Sequence, residues 1–309
     1  MPNNKFKGHI AVLSANIIFG LNVPVTKALL DKWMTPFGYM ATRTLAALII
    51  FWTLQCLLPK EKVHGKDLAI IAVGGIMGFV ISQFLTAVSL QYTSPVYFSL
   101  IVALSPVCVL LLASLFLKES ITHRKTVGVV MGIVGAMLLI AQAGLAPSGG
   151  KNNLLGIGLA CISILTYSIY LIIMRSVSQK YSAVTQMKWM FLFTAVILIP
   201  LGANEYPQQT IFTPAWDWNG IMELGFVILF STSLGYFLMP FGMKYLRATT
   251  VSVYMNLQPI VASIAAICVG QDVFSWDKPI AAILVLAGAY IVSTSPAEEE
   301  LVTNKNQPK

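Results

Sequence analysis

Laid over itself at an offset of 153 residues, without a gap, the chain repeats: FLTAVSLQYTSPVYFSLIVALSP at 84–106 meets FLMPFGMKYLRATTVSVYMNLQP at 237–259. Phe84/Phe237, Leu85/Leu238, Tyr92/Tyr245, Ser99/Ser252, Leu104/Leu257 and Pro106/Pro259 coincide, and further along Glu119 meets Asp272 and Gly135-Ala136 meets Gly288-Ala289. Both copies lie in chain that is almost wholly apolar. Hydrophobic residues make up 57% and charged residues 10%, and the mean hydropathy is +0.77. A soluble globule carries about 25% charged residues, so there is too little polar surface here to cover one. The apolar runs, roughly 18–25 residues each, are long enough to cross a ~30 Å hydrocarbon core as helices. The sequence reads as an all-α polytopic membrane protein whose surroundings are the lipid bilayer.

Ten spans are expected, at 8–29, 36–58, 68–90, 95–117, 125–142, 154–175, 184–201, 219–243, 249–269 and 278–295. They divide into a first five-helix repeat over 1–147 and a second over 148–295, with a disordered cytoplasmic tail over 296–309. An odd number of spans per repeat forces the two copies to insert upside down relative to each other, the arrangement that secondary carriers use. Loop charges orient the chain. With the N-terminus inside, Lys5, Lys7, Lys60, Lys62, Lys66, Lys118, Arg124, Lys125, Arg175, Lys180, Lys244, Arg247, Lys305 and Lys309 face the cytoplasm. Only Lys32, Lys151 and Lys278 face out, a bias of fourteen to three. Positive residues collect on the cytoplasmic side, so both termini are expected there, in the cell (inner) membrane. The net charge of +8 is thus a topology signal and needs no nucleic-acid partner.

Cys56, Cys108, Cys161 and Cys268 all fall in apolar stretches without C-x-x-C spacing and read as free thiols. Lys5 and Lys7 ahead of an apolar run superficially resemble a signal peptide, but Asn16 and Asn22 interrupt the run and no A-x-A-like cleavage site follows. Gly74/Gly78 and Gly128/Gly132 are small-xxx-small pairs, which allow close helix packing. A homodimer seam is the alternative reading of those pairs.

The first unit carries an apolar-N-x-x-F-G-x-N stretch at 16–22, then Lys27, Pro36 and Arg43. It continues with Leu90-Gln91-Tyr92-Thr93-Ser94, Leu104-Ser105-Pro106, Lys118-Glu119 and Gly128…Gly135, much of which the second unit repeats. This order of motifs, over 8–295, resembles the drug/metabolite transporter superfamily, in particular its EamA-type ten-helix branch. The resemblance implies two inverted five-helix repeats and a central path walled by helices 1–4 and 6–9, with helices 5 and 10 peripheral. It implies movement of small metabolites, amino acids or drugs, mostly outward. Two departures stand out: Ser275-Trp276-Asp277 replaces Thr122-His123-Arg124, and Pro24 has no partner in helix 6.

Polar groups in hydrocarbon are costly unless they face protein or water, so each is a functional candidate. Asn16, Phe19 and Asn22 share one broad face of helix 1, and Ser163, Tyr167 and Tyr170 a narrower sector of helix 6. An offset of 148 superposes Phe19 on Tyr167 and Asn22 on Tyr170, while the offset of 153 pairs Gln83 with Tyr236. Tyr97, Ser99, Tyr254 and Asn256 are further candidates for the path. Aromatic faces with a few amides suit an amphipathic small-molecule substrate. Pro106 and Pro259 are expected to kink helices 4 and 9. Among the charges within spans, Lys27 and Arg43 lie toward the outer side, where Arg43 either snorkels outward or meets an acid or a carbonyl. Glu223 is expected in an ion pair, or else in an outer gate or anion-attracting vestibule.

No H-E-x-x-H, Walker loop or G-x-S-x-G is present, and the three histidines (His9, His64, His123) sit near span ends. Catalytic residues, a metal site and a cofactor are therefore not expected. The function expected is secondary transport, by alternating access, of a small metabolite, amino acid or amphipathic compound, with export as the leading direction. An uptake carrier or exchanger is the alternative. An intramembrane enzyme acting on lipid would need clustered His, Asp or Glu at one interface.

Overall fold

A computed structural model describes residues 2–117, 123–145, 152–214, 217–246, 251, 254–271 and 277–294. The tail expected over 296–309, the landmarks Glu119 and Asp272, and position 252 lie outside the described residues. Ten helical units follow in chain order. The first three are α1 (Pro2–Lys32), α2 (Pro36–Cys56) and α3 (Gly65–Tyr92). Next come α4, in two pieces (Pro95–Val102 and Ser105–Leu117), α5 (His123–Leu145), α6 (Asn153–Ser178) and α7 (Ala183–Ala203). The last are α8 (Trp218–Met243), α9 (Leu257–Cys268) and α10 (Asp277–Thr294). Seven of them, α1–α4 and α6–α8, are long and apolar enough to cross a membrane, and α5 and α9 contribute shorter apolar helices.

Local chemistry sets the helix starts. Thr35, Ser94, Asn152, Ser182 and Asp217 each accept a backbone N–H of the first turn, and Pro36 and Pro95 follow their caps directly. These are the residue types whose short polar side chains replace missing intrahelical partners, with proline where no N–H is needed.

The helices depart from regular α geometry twice, at matching places in the two repeats. α3 widens into a π segment over Ile76–Ile81, and α8 does so over Val227–Gly235. Displaced by 153 residues, the first falls at 229–234, inside the second. α4 breaks at Ala103–Leu104, and α9 begins after a turn at Met255–Asn256. The expectation of proline kinks within helices 4 and 9 is corrected here. Pro106 and Pro259 each occupy the first turn of a new helical piece, after Ser105 and Gln258. In a first turn the backbone N–H has no intrahelical partner, so the donor that proline lacks costs nothing.

Cross-contacts show the inverted arrangement. At one end, Gly8 of α1 lies against Tyr245 and Leu246 after α8, and the loop after α2 meets the start of α7 through Glu61 and Ser182. At the other end, the segment between α1 and α2 meets the loop after α7, Thr210 Oγ1 donating to Lys32 O at 3.0 Å. Thr93 donates there to Asn153, at the start of α6, at 3.1 Å. Behind the core, α5 and α10 form an outer pair. Gly288 sits so close to α5 that a Cβ would lie 2.6 Å from Gly128 O and from Gly132 N. The Gly128/Gly132 pair is thus occupied within the chain, and Gly74 similarly packs on Met174 of α6.

A buried helical glycine replaced by alanine ordinarily gains up to about 1 kcal/mol of helix propensity, so the sign of the effect tests this packing. Gly288→Ala should lower the thermal midpoint of detergent-purified protein, since backbone blocks the new Cβ and overpacking costs about 1–3 kcal/mol. Gly158→Ala on α6, where no atom lies within 4 Å of a built Cβ, should leave the midpoint unchanged or raise it. A stabilised Gly288→Ala would mean that the α5–α10 contact is not as close as described.

Candidate functional site

A cavity lies where the two repeats meet. α1 supplies Phe19, Asn22 and Val23 to its wall, α3 supplies Ser82, Gln83 and Thr86, and α4 supplies Phe98 and Val102. Opposite them stand Ser163, Ile164 and Tyr167 of α6, Tyr236 of α8, and Met255 and Gln258 at the start of α9. The irregularities of the fold border this space. Ser82 and Gln83 directly follow the π segment of α3, Gly235 ends that of α8, and Tyr236 comes next. Met255 belongs to the turn ahead of α9. Widened and broken helices expose backbone groups and re-aim side chains, and here both repeats do so at one place.

Each π segment also receives an aromatic ring from the first helix of the other repeat. Tyr170 of α6 lies against Gly78, and Phe19 of α1 lies against Gly235, where a Cβ would come within 2.6 Å of the ring. Phe19 meets Tyr236 edge-on at 5.6 Å, and Tyr167 lies 5.3 Å from Tyr170. Below these, Phe79, Phe191 and Phe51 continue the cluster, with Phe79 edge-on to both Tyr236 and Phe191.

Some polar groups of the wall are satisfied within the protein. The Ser163 hydroxyl joins those of Ser82 and Thr86 at 3.2 and 2.9 Å, and Gln258 donates to Asn16 at 2.6 Å while Asn16 donates to Val12 O at 2.7 Å. Others are not. Asn22 Oδ1 and the hydroxyls of Tyr170 and Tyr236 are buried with no partner among the described residues. A buried polar atom left unpaired costs about 1–3 kcal/mol.

Arg43 sits behind this wall and does not snorkel outward. It is 1% exposed, with Nε donating to Thr232 at 2.8 Å and one terminal nitrogen donating to the Tyr39 hydroxyl at 3.1 Å. Its guanidinium lies 5.0 Å from the Tyr39 ring and 5.2 Å from the Phe79 ring. Two ring faces help to hold a desolvated cation. Neither an acid nor a carbonyl pairs with it among the described residues, and its other terminal nitrogen is buried without a partner.

The sequence candidates thus divide. Phe19, Asn22, Gln83, Ser163, Tyr167 and Tyr236 line the cavity, and Tyr170 backs it. Asn16 does not reach the wall and instead orients Gln258, which does. Tyr97 and Ser99 are buried one residue to either side of the wall residue Phe98. Tyr254 and Asn256 line a separate apolar groove against Leu286 and Tyr290 of α10, with the Tyr254 hydroxyl 2.8 Å from His9 Nδ1. Lys27 pairs with Asp31 at 3.0 Å. Glu223 pairs with no cation among the described residues, and Oε2 is buried without a partner. Helices 2 and 7, expected in the wall, stand behind it. Sequence reasoning missed Ser82, Thr86, Phe98 and Gln258. The small hydroxyl residues flanking Gln83 were the available signal.

The free space measures about 60 Å³, against roughly 300–1,000 Å³ for a pocket that holds a metabolite. Closures at both ends match this. The N-cap of α7, Ser182, donates through N and Oγ to Glu61 at 3.0 and 2.9 Å, while Tyr181 and Lys180 donate to Asp67 at 2.8 and 3.0 Å. At the opposite end the N-cap of α2, Thr35, donates to Glu205 and is bracketed by Gln209, which accepts from Thr35 N at 2.9 Å and donates to Thr35 Oγ1 at 2.7 Å. Each repeat's second helix is therefore capped through an acid that follows the second helix of the other. Burial opposes ionisation of Glu61, but hydrogen bonds from Thr185 and Ser182 outweigh it and hold the carboxyl below its ordinary value of 4.5.

The chain matches the model of the EamA-like transporter family twice, over residues 6–141 and 154–294. An uncharacterized transporter of Archaeoglobus fulgidus is 25% identical over 84% of this chain and 90% of its own length. The uncharacterized transporter YyaM of Bacillus subtilis is 27% identical over 76% of each. An S-adenosylmethionine uptake transporter of Rickettsia bellii is 27% identical over 74% of this chain and 77% of its own. A solved crystal structure superposes with a TM-score of 0.61 at 17% identity, covering 91% of this chain and 98% of the other, and so shares the fold.

The Glu61 closure has a pH signature. Its carboxyl is lowered in the folded protein, so its contribution to stability is complete above the ordinary value of 4.5 and is lost as pH falls through the folded value. Midpoints of wild-type protein should therefore drop on acidification through that window, and Glu61→Gln should flatten this part of the curve. Parallel curves for the two proteins would show that the Glu61 contact does not form.

Proposed function

Because the chain belongs to the EamA-like transporter family, we propose that the central cavity is the substrate site of a secondary carrier working by alternating access. The observation that supports this most is the coincidence of three features at the repeat interface. Both π segments border the cavity, aromatic rings of α1 and α6 rest on them, and Asn22, Tyr170 and Tyr236 carry unpaired buried polar atoms. Inverted-repeat carriers bind at the midplane between repeats. The solute is a small amphipathic metabolite, stacked against aromatic rings and oriented by a few hydrogen bonds. The bias of loop charges supports a reading with both termini in the cytoplasm and the protein in the cell (inner) membrane. Export is the leading direction. Uptake is favoured by the name of the Rickettsia bellii relative, and inside-out against right-side-out vesicles separate the two.

The test is flux in liposomes without ATP, using a solute found by thermal-shift screening. Asn22→Ala and Tyr167→Ala should weaken solute binding by about 1 kcal/mol or more, through loss of a buried hydrogen bond or a stacking contact, while the protein remains folded. Val130→Ala, at a lipid-facing position 54% exposed on α5, should leave binding and flux unchanged. Normal transport by both cavity variants would place the path elsewhere, and flux that needs ATP and a partner ATPase would rule out a secondary carrier.

A further inference from the structure

Arginine stays protonated at any pH a cell meets, and a buried cation is costly without a counter-charge. Arg43 is buried, and no carboxylate forms an ion pair with it among the described residues. Its ring and hydroxyl neighbours, Tyr39, Phe79 and Thr232, are all neutral. One terminal nitrogen remains unpaired, and a guanidinium nitrogen can only donate.

Two further unpaired groups stand close by. The Tyr236 and Tyr170 hydroxyls are both buried without partners among the described residues, and Tyr170 packs on Gly78, next in the chain to the Phe79 ring that Arg43 faces. The Tyr236 ring shares Phe79 with Arg43: its centroid lies 5.2 Å from that ring in an edge-on contact, and the guanidinium lies 5.2 Å from the same ring. Tyr236 is also a wall residue of the cavity. Three unused donors, one of them cationic, therefore gather where the cavity wall meets Arg43.

We propose that Arg43, Tyr236 and Tyr170 form a carboxylate subsite, so that the transported solute is a monocarboxylate with an apolar or aromatic body. This assignment rests on the reading of the cavity as a substrate site. A carboxylate has two oxygens able to accept from a guanidinium and from hydroxyls at once. Its single charge matches the single cation. A phosphate dianion would bring a second charge that nothing here compensates. Phe19 and Phe98 in the wall suit the apolar body, and that body needs the cavity to widen beyond its closed volume.

Three probes of one shape separate charge from fit: 3-phenylpropionate, 3-phenylpropanamide and 3-phenylpropylammonium, titrated against the purified full chain with thermal midpoint and calorimetry as readouts. The carboxylate should stabilise the protein saturably, at concentrations at least about tenfold below those needed for the other two, the step that one charged hydrogen bond provides. Arg43→Gln should erase the preference, and Arg43→Lys should retain part of it. Tyr236→Phe keeps the charge and should weaken the carboxylate about tenfold but not the amide, which decides the matter if Arg43→Gln does not fold. No saturable response to the carboxylate, equal responses to all three, or a preference that survives in Arg43→Gln would overturn the proposal. If the amide or ammonium binds best and Asn22→Ala abolishes that binding, the carboxylate subsite is wrong while the substrate cavity stands. Loss of the cavity reading is seen separately, in flux that ignores Asn22 and Tyr167.

Discussion

Within hydrocarbon no water is available to an unpaired backbone N–H or C=O, and this governs the whole structure. Regular helices meet the constraint by themselves, which is why nearly every described segment is one. Irregular backbone is tolerated only where protein or a cavity can satisfy it. The chain departs from regularity at Ile76–Ile81 and Val227–Gly235, and at the breaks in α4 and ahead of α9. All four surround one space. In the wider of the two π segments, Ser233 donates to Ile228 O at 2.7 Å, a side chain supplying a bond to a carbonyl of the widened turn. The irregularity is thus repaired locally on α8 and used at the cavity, where it brings Tyr236 to the wall.

Duplication explains the positions of these features but not their chemistry. The two repeats place residues at equivalent points and then fill them differently: Asn22 against Tyr170, Phe19 against Tyr167, Gln83 against Tyr236. One side of the cavity consequently carries amides and the other phenols. The Arg43 charge breaks the symmetry further, since the antiparallel neighbour α7 presents Phe191 to the same Phe79 ring. A symmetric scaffold thereby acquires a polarity.

Much of this was legible in the sequence, for physical reasons. Apolar runs report spans because burial in lipid requires them, and the gapless offset reports the repeat. Pseudo-equivalent positions led to five of the wall residues, and a shared face of helix 6 to a sixth, Ser163. The π segments were not legible, since IMGFVI and VILFSTSLG carry no composition that separates them from α helix. The error at Pro106 and Pro259 had the same root. Proline is disfavoured inside a helix and favoured in its first turn, and sequence alone does not say that a helix has restarted. Tyr254 and Asn256 stand just before and within the turn ahead of α9, a break that no periodicity announces, and they line the groove against α10 instead of the cavity. The environment of Arg43 depends on Thr232, 189 positions away, and only the fold brings the two together.

The two closures complete the argument. Each ties an N-cap, Thr35 or Ser182, to an acid beyond the second helix of the opposite repeat, Glu205 or Glu61. With both formed, the cavity keeps only about 60 Å³ of free space. α2 and α7 lie antiparallel between the closures, and Phe51, in the last two turns of α2, stacks on Phe191, midway along α7, at 5.6 Å with planes 8° apart. The helices that tie the two ends, α2 and α7, stand behind the cavity wall and reach it only through rings, Phe51 stacking on Phe191, Phe191 meeting Phe79, and Phe79 meeting the wall residue Tyr236.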